Sequence, residues 1–208
     1  PNEMLDELPL PMNYGIIAHE TAHRLFNDIV YERDFIGFLM QHFPKENDPA
    51  QISAFERATN RQLAFNEGMS DYFGAYLAND PTFMRFSFPA DITQRRDLTT
   101  HHQVTEATWL TGAEPMISDS YDPYQLGMVY ASSLWRLGEQ EGHQIVAQAL
   151  IESERALAPA IREHNQFEHR EALNTIISQL PSTSRDRACH IFHDQFIALG
   201  TPLEECHP

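Results

Sequence analysis

Residues 13–26 read N-Y-G-I-I-A-H-E-T-A-H-R-L-F, and the chain is organised around this stretch. Ile16, Ile17 and Ala18 precede His19 and Glu20, and Leu25 and Phe26 follow His23, an apolar pattern with helical period. Residues four apart on an α-helix lie about 40° apart around its axis. His19 and His23 therefore aim two imidazoles at one metal ion. Glu20 leaves the helix in a neighbouring direction, suited to a water molecule beside the ion and not to the ion itself. The same five residues also fit an ordinary surface helix with a polar pair one turn apart. A third ligand elsewhere in the chain would separate the two readings.

The apolar rows extend outward from this stretch. Ile16, Ile17, Leu25, Phe26, Ile29 and Val30 predict a helix over 12–30, with a continuation through Phe35, Phe38 and Leu39 before Pro44 stops it. Residues 44–49 (P-K-E-N-D-P) read as a turn-rich connector, and 31–50 together as a helical insertion. A second long helix is expected over 50–78, ended by Asn79-Asp80-Pro81. Residues 81–123 carry four prolines and a polar run at 99–103, and a loop of this length in a compact domain commonly forms a cleft. Further helices are expected over 124–137, 142–157, 165–180 and 185–199, with Gly127 allowing a close neighbour. Ser182 or Ser184 is the expected N-cap of the last helix, and Gly200 with Pro202 its terminator. No strand pattern or internal repeat is evident. The expected fold is mainly α, one domain over 1–208.

Composition narrows the function. At 208 residues, 42% hydrophobic and 11% aromatic, the chain can bury a proper core. Thirty acidic against fourteen basic residues give a net charge of −16, which argues against a nucleic-acid partner. No run of apolar residues is long enough for a membrane span. Cys189 and Cys206 are expected either as a disulfide, contributing about 3 kcal/mol through the unfolded chain, or as two buried thiols. A second metal site from Cys189, His190, His193, Cys206 and His207 is the lesser alternative. The cysteine pair leads us to expect a secreted or periplasmic protein. His42, His143, His164 and His169 are most simply surface residues.

The predicted second helix carries N-E-G-M-S-D at residues 66–71. Glu67 completes a His₂Glu set with an open fourth position, and Asp71, one turn on, is placed to accept the free N–H of a ligating histidine. Small Gly68, Ser70 and Gly74 are expected to let this helix approach the first.

H-E-x-x-H followed by N-E-x-x-S-D resembles the thermolysin-like and fungalysin-like metallopeptidases, zincins whose third ligand is a glutamate. The likeness covers about residues 14–137. It implies a zincin-like helical subdomain, Zn²⁺ held by His19, His23 and Glu67, Glu20 as catalytic base, and Asn66 and Asp71 supporting the ligands, with Asp71 on His19. It also implies peptide or protein substrates. Arg95-Arg96-Asp97-Leu98 resembles an arginine-containing segment of these enzymes, and the 126–135 stretch resembles the helix after their transition-state-binding histidine. Tyr124 stands about where that histidine is expected, so Tyr124 is the first candidate oxyanion donor, followed by Tyr121 and then His101 or His102. The chain departs from the pattern in two further ways. Forty-three residues separate His23 from Glu67, and the eighteen before His19 are too few for the β-sheet that binds substrate in such enzymes. The expectation is an upstream domain of the same precursor or a cleft built differently. The competing class is a zinc-binding helical module without catalysis.

Overall fold

The computed structural model describes residues 9–46, 48–104, 123–197 and 203–206. Among the described residues every regular element is helical: α1 (Tyr14–Val30), α2 (Phe35–His42), α3 (Pro49–Ala78), α4 (Ala90–Arg95), α5 (Pro123–Glu141), α6 (His143–His164), α7 (His169–Gln179) and α8 (Ser182–Gln195), with short 3₁₀ turns at Leu10–Met12 and Glu204–Cys206. The protein is mainly α.

Helix α3 is the axis of the molecule. Asp48 caps its start through the Ala50 amide, Pro49 occupies the first turn, and Asn79 ends it in the left-handed conformation (φ 52°). Its second half is almost continuously buried from Ala64 to Ala75, because α1 packs on one side and α5 on another. Both contacts are close. A Cβ on Gly68 would lie 2.4 Å from the Gly127 carbonyl oxygen, so α3 and α5 cross through these two glycines. A Cβ on Gly74 would lie 2.9 Å from the Gly15 oxygen. Gly74 thus serves the approach to α1, as expected, whereas Gly68 serves α5.

The continuous helix expected through Leu39 is broken. Glu32 and Arg33 adopt left-handed backbone (φ 52° and 71°), and Asp34 starts α2 by accepting from the Gly37 amide. The reversal stacks Tyr31 against both Phe35 and Phe38, at centroid distances of 4.9 and 4.8 Å. The Tyr31 hydroxyl donates to Gln62 Oε1, and Gln62 Nε2 donates to Asn165 Oδ1, joining the end of α1 to α3 and to the left-handed cap of α6.

The C-terminal helices depart from expectation in detail. Helix α6 runs seven residues past 157, with Pro159 inside it. Helix α8 begins at Ser182 and ends at Gln195, and neither Ser182 nor Ser184 caps it. Ser184 Oγ instead donates to Glu141 Oε2; Gly200 and Pro202 lie outside the described residues. Cys189 and Cys206 are bonded to each other, which removes the thiolates that a second metal site would need. His164 is exposed, but His169 is fully buried, its ring nitrogen 2.8 Å from the Tyr130 hydroxyl. Burial, with Arg61 nearby, pushes it down to about 3.

Two measurements test these packing arguments. Gly68→Ala should lower the denaturant midpoint by an amount worth about 1–3 kcal/mol, since the added methyl meets backbone. Glu154, buried on α6 with neither carboxyl oxygen partnered among the described residues, is pushed up to about 8 by burial, against the opposing pull of Arg155. Its neutral form is the one the fold accepts, so stability should fall as pH rises from about 4.5 to about 8. Glu154→Gln should therefore raise the melting temperature above pH 8, and the gain should vanish near pH 4. The acid limb belongs partly to His169, which destabilises the fold as pH drops below 6.5.

Candidate metal centre

Asn13 sets the position of the site. Its Oδ1 accepts from the Gly15 and Ile16 amides to start α1, while its Nδ2 donates to the Phe83 carbonyl and to Ser87 Oγ. One buried side chain thus fixes both the histidine helix and the 83–88 segment that walls the adjoining cavity. On α1, His19 is buried and His23 half-buried. Their rings stand edge to face at 4.5 Å, with the two Nε2 atoms 2.9 Å apart. Glu67 on α3 brings Oε2 to 3.8 Å from His19 Nε2 and Oε1 to 3.6 Å from His23 Nε2.

The outer nitrogens determine what the inner ones present. His19 Nδ1 lies 2.9 Å from Asp71 Oδ1, a carboxylate that favours a proton on that nitrogen. His23 Nδ1 lies 3.1 Å from Asn66 Oδ1 and 3.1 Å from Ser70 Oγ. With both Nδ1 atoms protonated, both Nε2 atoms carry lone pairs toward each other and toward the Glu67 carboxylate. Burial, and then His19 beside it, hold the His23 imidazole below its ordinary range, so a shared proton is disfavoured at neutral pH. Three acceptors and no donor converge, and a cation relieves their repulsion. For ligands about 2.0–2.2 Å from a tetrahedral ion, ligand atoms stand about 3.3–3.6 Å apart. The separations here bracket that value, and these three residues form the one candidate metal-binding group among the described residues.

Arg96 closes the outer layer. Its guanidinium grips Asp71 with two bonds, one of 3.0 Å from Nε to Oδ2 and a second from Nη2 to Oδ1. Nη2 also lies 3.7 Å from Glu67 Oε2. Burial works to raise the Asp71 carboxyl, but Arg96 and then His19 outweigh it and hold Asp71 below the usual range. Asp71 is therefore anionic and orients His19. Burial raises Glu67, opposed by His19 and Arg96.

A cavity of about 430 Å³ opens onto this centre. Exposed Glu20 lies in its wall, with Tyr124, Met84 and Phe88. Tyr124, in the first turn of α5, is half-exposed, and the Arg96 guanidinium carbon lies 5.4 Å from its ring centroid. Of the other candidate donors, Tyr121 lies outside the described residues. His101 pairs with Asp194 (2.9 Å), away from the cavity. His102 Nε2 lies 3.2 Å from the Asp97 carbonyl and lines a neighbouring pocket. The sequence singled out neither the two-bonded grip of Arg96 on Asp71 nor the contact of Ser70 with His23. Asn66 and Ser70 are four apart on α3, so the second was readable from helical spacing. The first joins residues 25 apart through an irregular segment and left no periodic signal.

Titration of chelator-stripped protein with zinc should give one tight site, checked by calorimetry and metal analysis. His19→Ala, His23→Ala or Glu67→Ala should abolish retention on dialysis, while Asp71→Asn should weaken affinity about 10–100-fold. Full retention in all three ligand variants would place the metal elsewhere. No family model, curated protein or solved structure matches the chain, so the chemistry of the centre is argued from its own atoms.

Proposed function

We propose that the protein is a zinc-dependent peptidase, its helices forming the zincin-like catalytic portion of a gluzincin fold. The observation that carries this reading is the position of Glu20. It is an exposed carboxylate in the wall of an open cavity, directly beside a convergent His₂Glu set. His19, His23 and Glu67 would hold the ion, and zinc when bound supplies Lewis acidity that acidifies water and polarises a carbonyl.

The chain's own residues supply the rest. Glu20 takes the proton from the attacking water and delivers it to the departing amine. Tyr124 offers a phenolic hydrogen to the developing oxyanion, beside the positive charge of Arg96. Asp71 holds His19 in one tautomer, and Asn66 with Ser70 holds His23. Met84 and Phe88 give the cavity an apolar wall. Peptides or unfolded protein segments are the substrates. The Cys189–Cys206 disulfide supports a secreted or periplasmic setting, and no helix among the described residues is long and apolar enough to cross a membrane.

The second reading is a metal-stabilised helical module without catalysis. The Arg96–Asp71–His19 chain of contacts fits it as well as it fits a catalytic centre. Glu20 argues against it, since a closed structural site has no use for a base beside the ion.

Glu20→Gln separates the two. The variant should bind zinc as the wild type does and lose about 10²–10⁴-fold in kcat/KM on a mixed peptide library. Tyr124→Phe should lower kcat more than it changes KM. Undiminished cleavage by Glu20→Gln would remove the peptidase mechanism.

A further inference from the structure

A second cavity, of about 410 Å³, adjoins the metal centre and shares two walls with it, Arg96 and Tyr124. A peptide bound with its scissile carbonyl near His19 and His23 therefore places one flanking side chain beside this second space. Ile92, Met128 and Val129 line it with apolar surface, and Met128 and Val129 are buried parts of the core. The half-exposed ring of Tyr124 adds aromatic surface. Such a lining suits a large, flat side chain. Aromatic rings pack on one another offset or edge to face, and a thioether sulfur sits favourably at a ring edge.

His102 supplies the wall with an acceptor whose state follows from its contacts. Its Nε2 lies 3.2 Å from the Asp97 carbonyl oxygen. A carbonyl only accepts, so Nε2 carries the proton. Burial outweighs the pull of the Asp97 carbonyl and carboxylate and holds the imidazole below its ordinary range. The ring is therefore neutral at pH 7, and Nδ1 keeps its lone pair. Nδ1 has no partner among the described residues and is not shut away from solvent. The backbone that carries the ring is fixed. Gln195 Nε2 donates to the His102 carbonyl at 2.9 Å, Gln103 Nε2 to the Asp194 carbonyl at 3.0 Å, and the Val104 amide to the Gln195 carbonyl at 2.7 Å. The cavity is thus pre-formed, with an apolar floor and a positioned acceptor.

A positioned acceptor sorts side chains by what they donate. Ionised aspartate and glutamate bring only lone pairs to Nδ1. Lysine and arginine bring donors, but none of the described lining residues is acidic and the Arg96 guanidinium stands in the shared wall. Leucine, methionine and phenylalanine cover the floor and leave Nδ1 unpaired behind them. Serine and threonine pair it and leave the floor bare. An indole combines a large apolar body with a single N–H donor and has no acceptor of its own to satisfy. We infer that this cavity is a specificity pocket for a tryptophan next to the scissile bond, with tyrosine second, and that His102 Nδ1 accepts the indole N–H. The inference rests on the peptidase reading for the peptide nature of the ligand.

The test uses the full zinc-loaded chain and matched peptides that differ at one position, immediately before or immediately after a common cleavable bond. That position carries tryptophan, its benzothienylalanine isostere with sulfur in place of the indole N–H, tyrosine, leucine or glutamate. Tryptophan should lead in kcat/KM and exceed the isostere by about fivefold, the scale of one neutral hydrogen bond. His102→Leu should erase this ratio, and His102→Asn, which keeps an acceptor near the Nδ1 position, should restore part of it. Binding of the same peptides to zinc-loaded Glu20→Gln, with and without His102→Leu, gives a readout that needs no turnover. Equal cleavage of the tryptophan and isostere peptides, or a ratio indifferent to His102, overturns the pocket and leaves the peptidase standing. No cleavage of any peptide, together with tryptophan-peptide binding that the isostere and His102→Leu each weaken about fivefold, overturns the peptidase and keeps the pocket. Binding indifferent to both the indole N–H and His102 overturns the pocket outright.

Discussion

His19 Nε2 and His23 Nε2 face each other at 2.9 Å, with a carboxylate turned toward both, and the surrounding structure holds these acceptors where they repel one another. Without outside constraint, either ring would rotate and donate to Glu67. Asp71 prevents this for His19 and Asn66 with Ser70 for His23. Those partners all lie on α3, so the tautomers of both rings depend on the register of α3 against α1. That register depends in turn on the absence of side chains at Gly15 and Gly74, and on the α5 crossing at Gly68 and Gly127. The core and the site are therefore one packing problem: a shift of about 1 Å between α1 and α3 would move the two histidine Nε2 atoms relative to the Glu67 carboxylate.

The parts of this arrangement that obey helical periodicity were legible in the sequence. The pairing of His19 with His23, the place of Glu67 and Asp71 on one later helix, and the general run of α1, α3 and α5 follow from spacing and from the stop at Asn79, whereas the caps at Asn13 and Asp48 came from the structure. The features that were not legible depend on tertiary neighbours. The break after α1 puts two residues without glycine's freedom into left-handed backbone, and the aromatic contacts of Tyr31 are what the break makes room for. His169 reads as polar in a list of residues, but the Tyr130 hydroxyl gives it a partner in the core. Ser184 has the chemistry of a cap, but the carboxylate of Glu141 claims its hydroxyl. In each case a contact distant in sequence outweighed a local preference, and local preferences differ by only about 1 kcal/mol.

Net charge and local charge point in opposite directions in this molecule. An excess of acidic groups over the whole chain sets the long-range field. Within a cavity the few groups in the wall dominate, because the low-dielectric surroundings strengthen near charges while solvent screens distant ones. Arg96 illustrates the difference. Burial works against its charge, yet the Asp71 carboxylate keeps it firmly protonated, so a fixed positive group stands between the metal cavity and the neighbouring pocket.

The charges at the centre also bear on why Glu20 lies where it does. Glu67 and Asp71 are each anionic in their metal-binding form, Arg96 offsets one of them, and Glu20 adds a further negative charge at the rim. Without an ion this half-buried group carries two negative charges in excess, which burial opposes and which already raises Glu67. A divalent cation brings the total to zero. In that neutral set Glu20 is the carboxylate that solvent reaches and no protein cation grips in the described contacts. With an amide at position 20 the same set with a divalent cation would carry one positive charge in excess instead of none. Under the peptidase reading the carboxylate at position 20 is also the group placed to carry the proton.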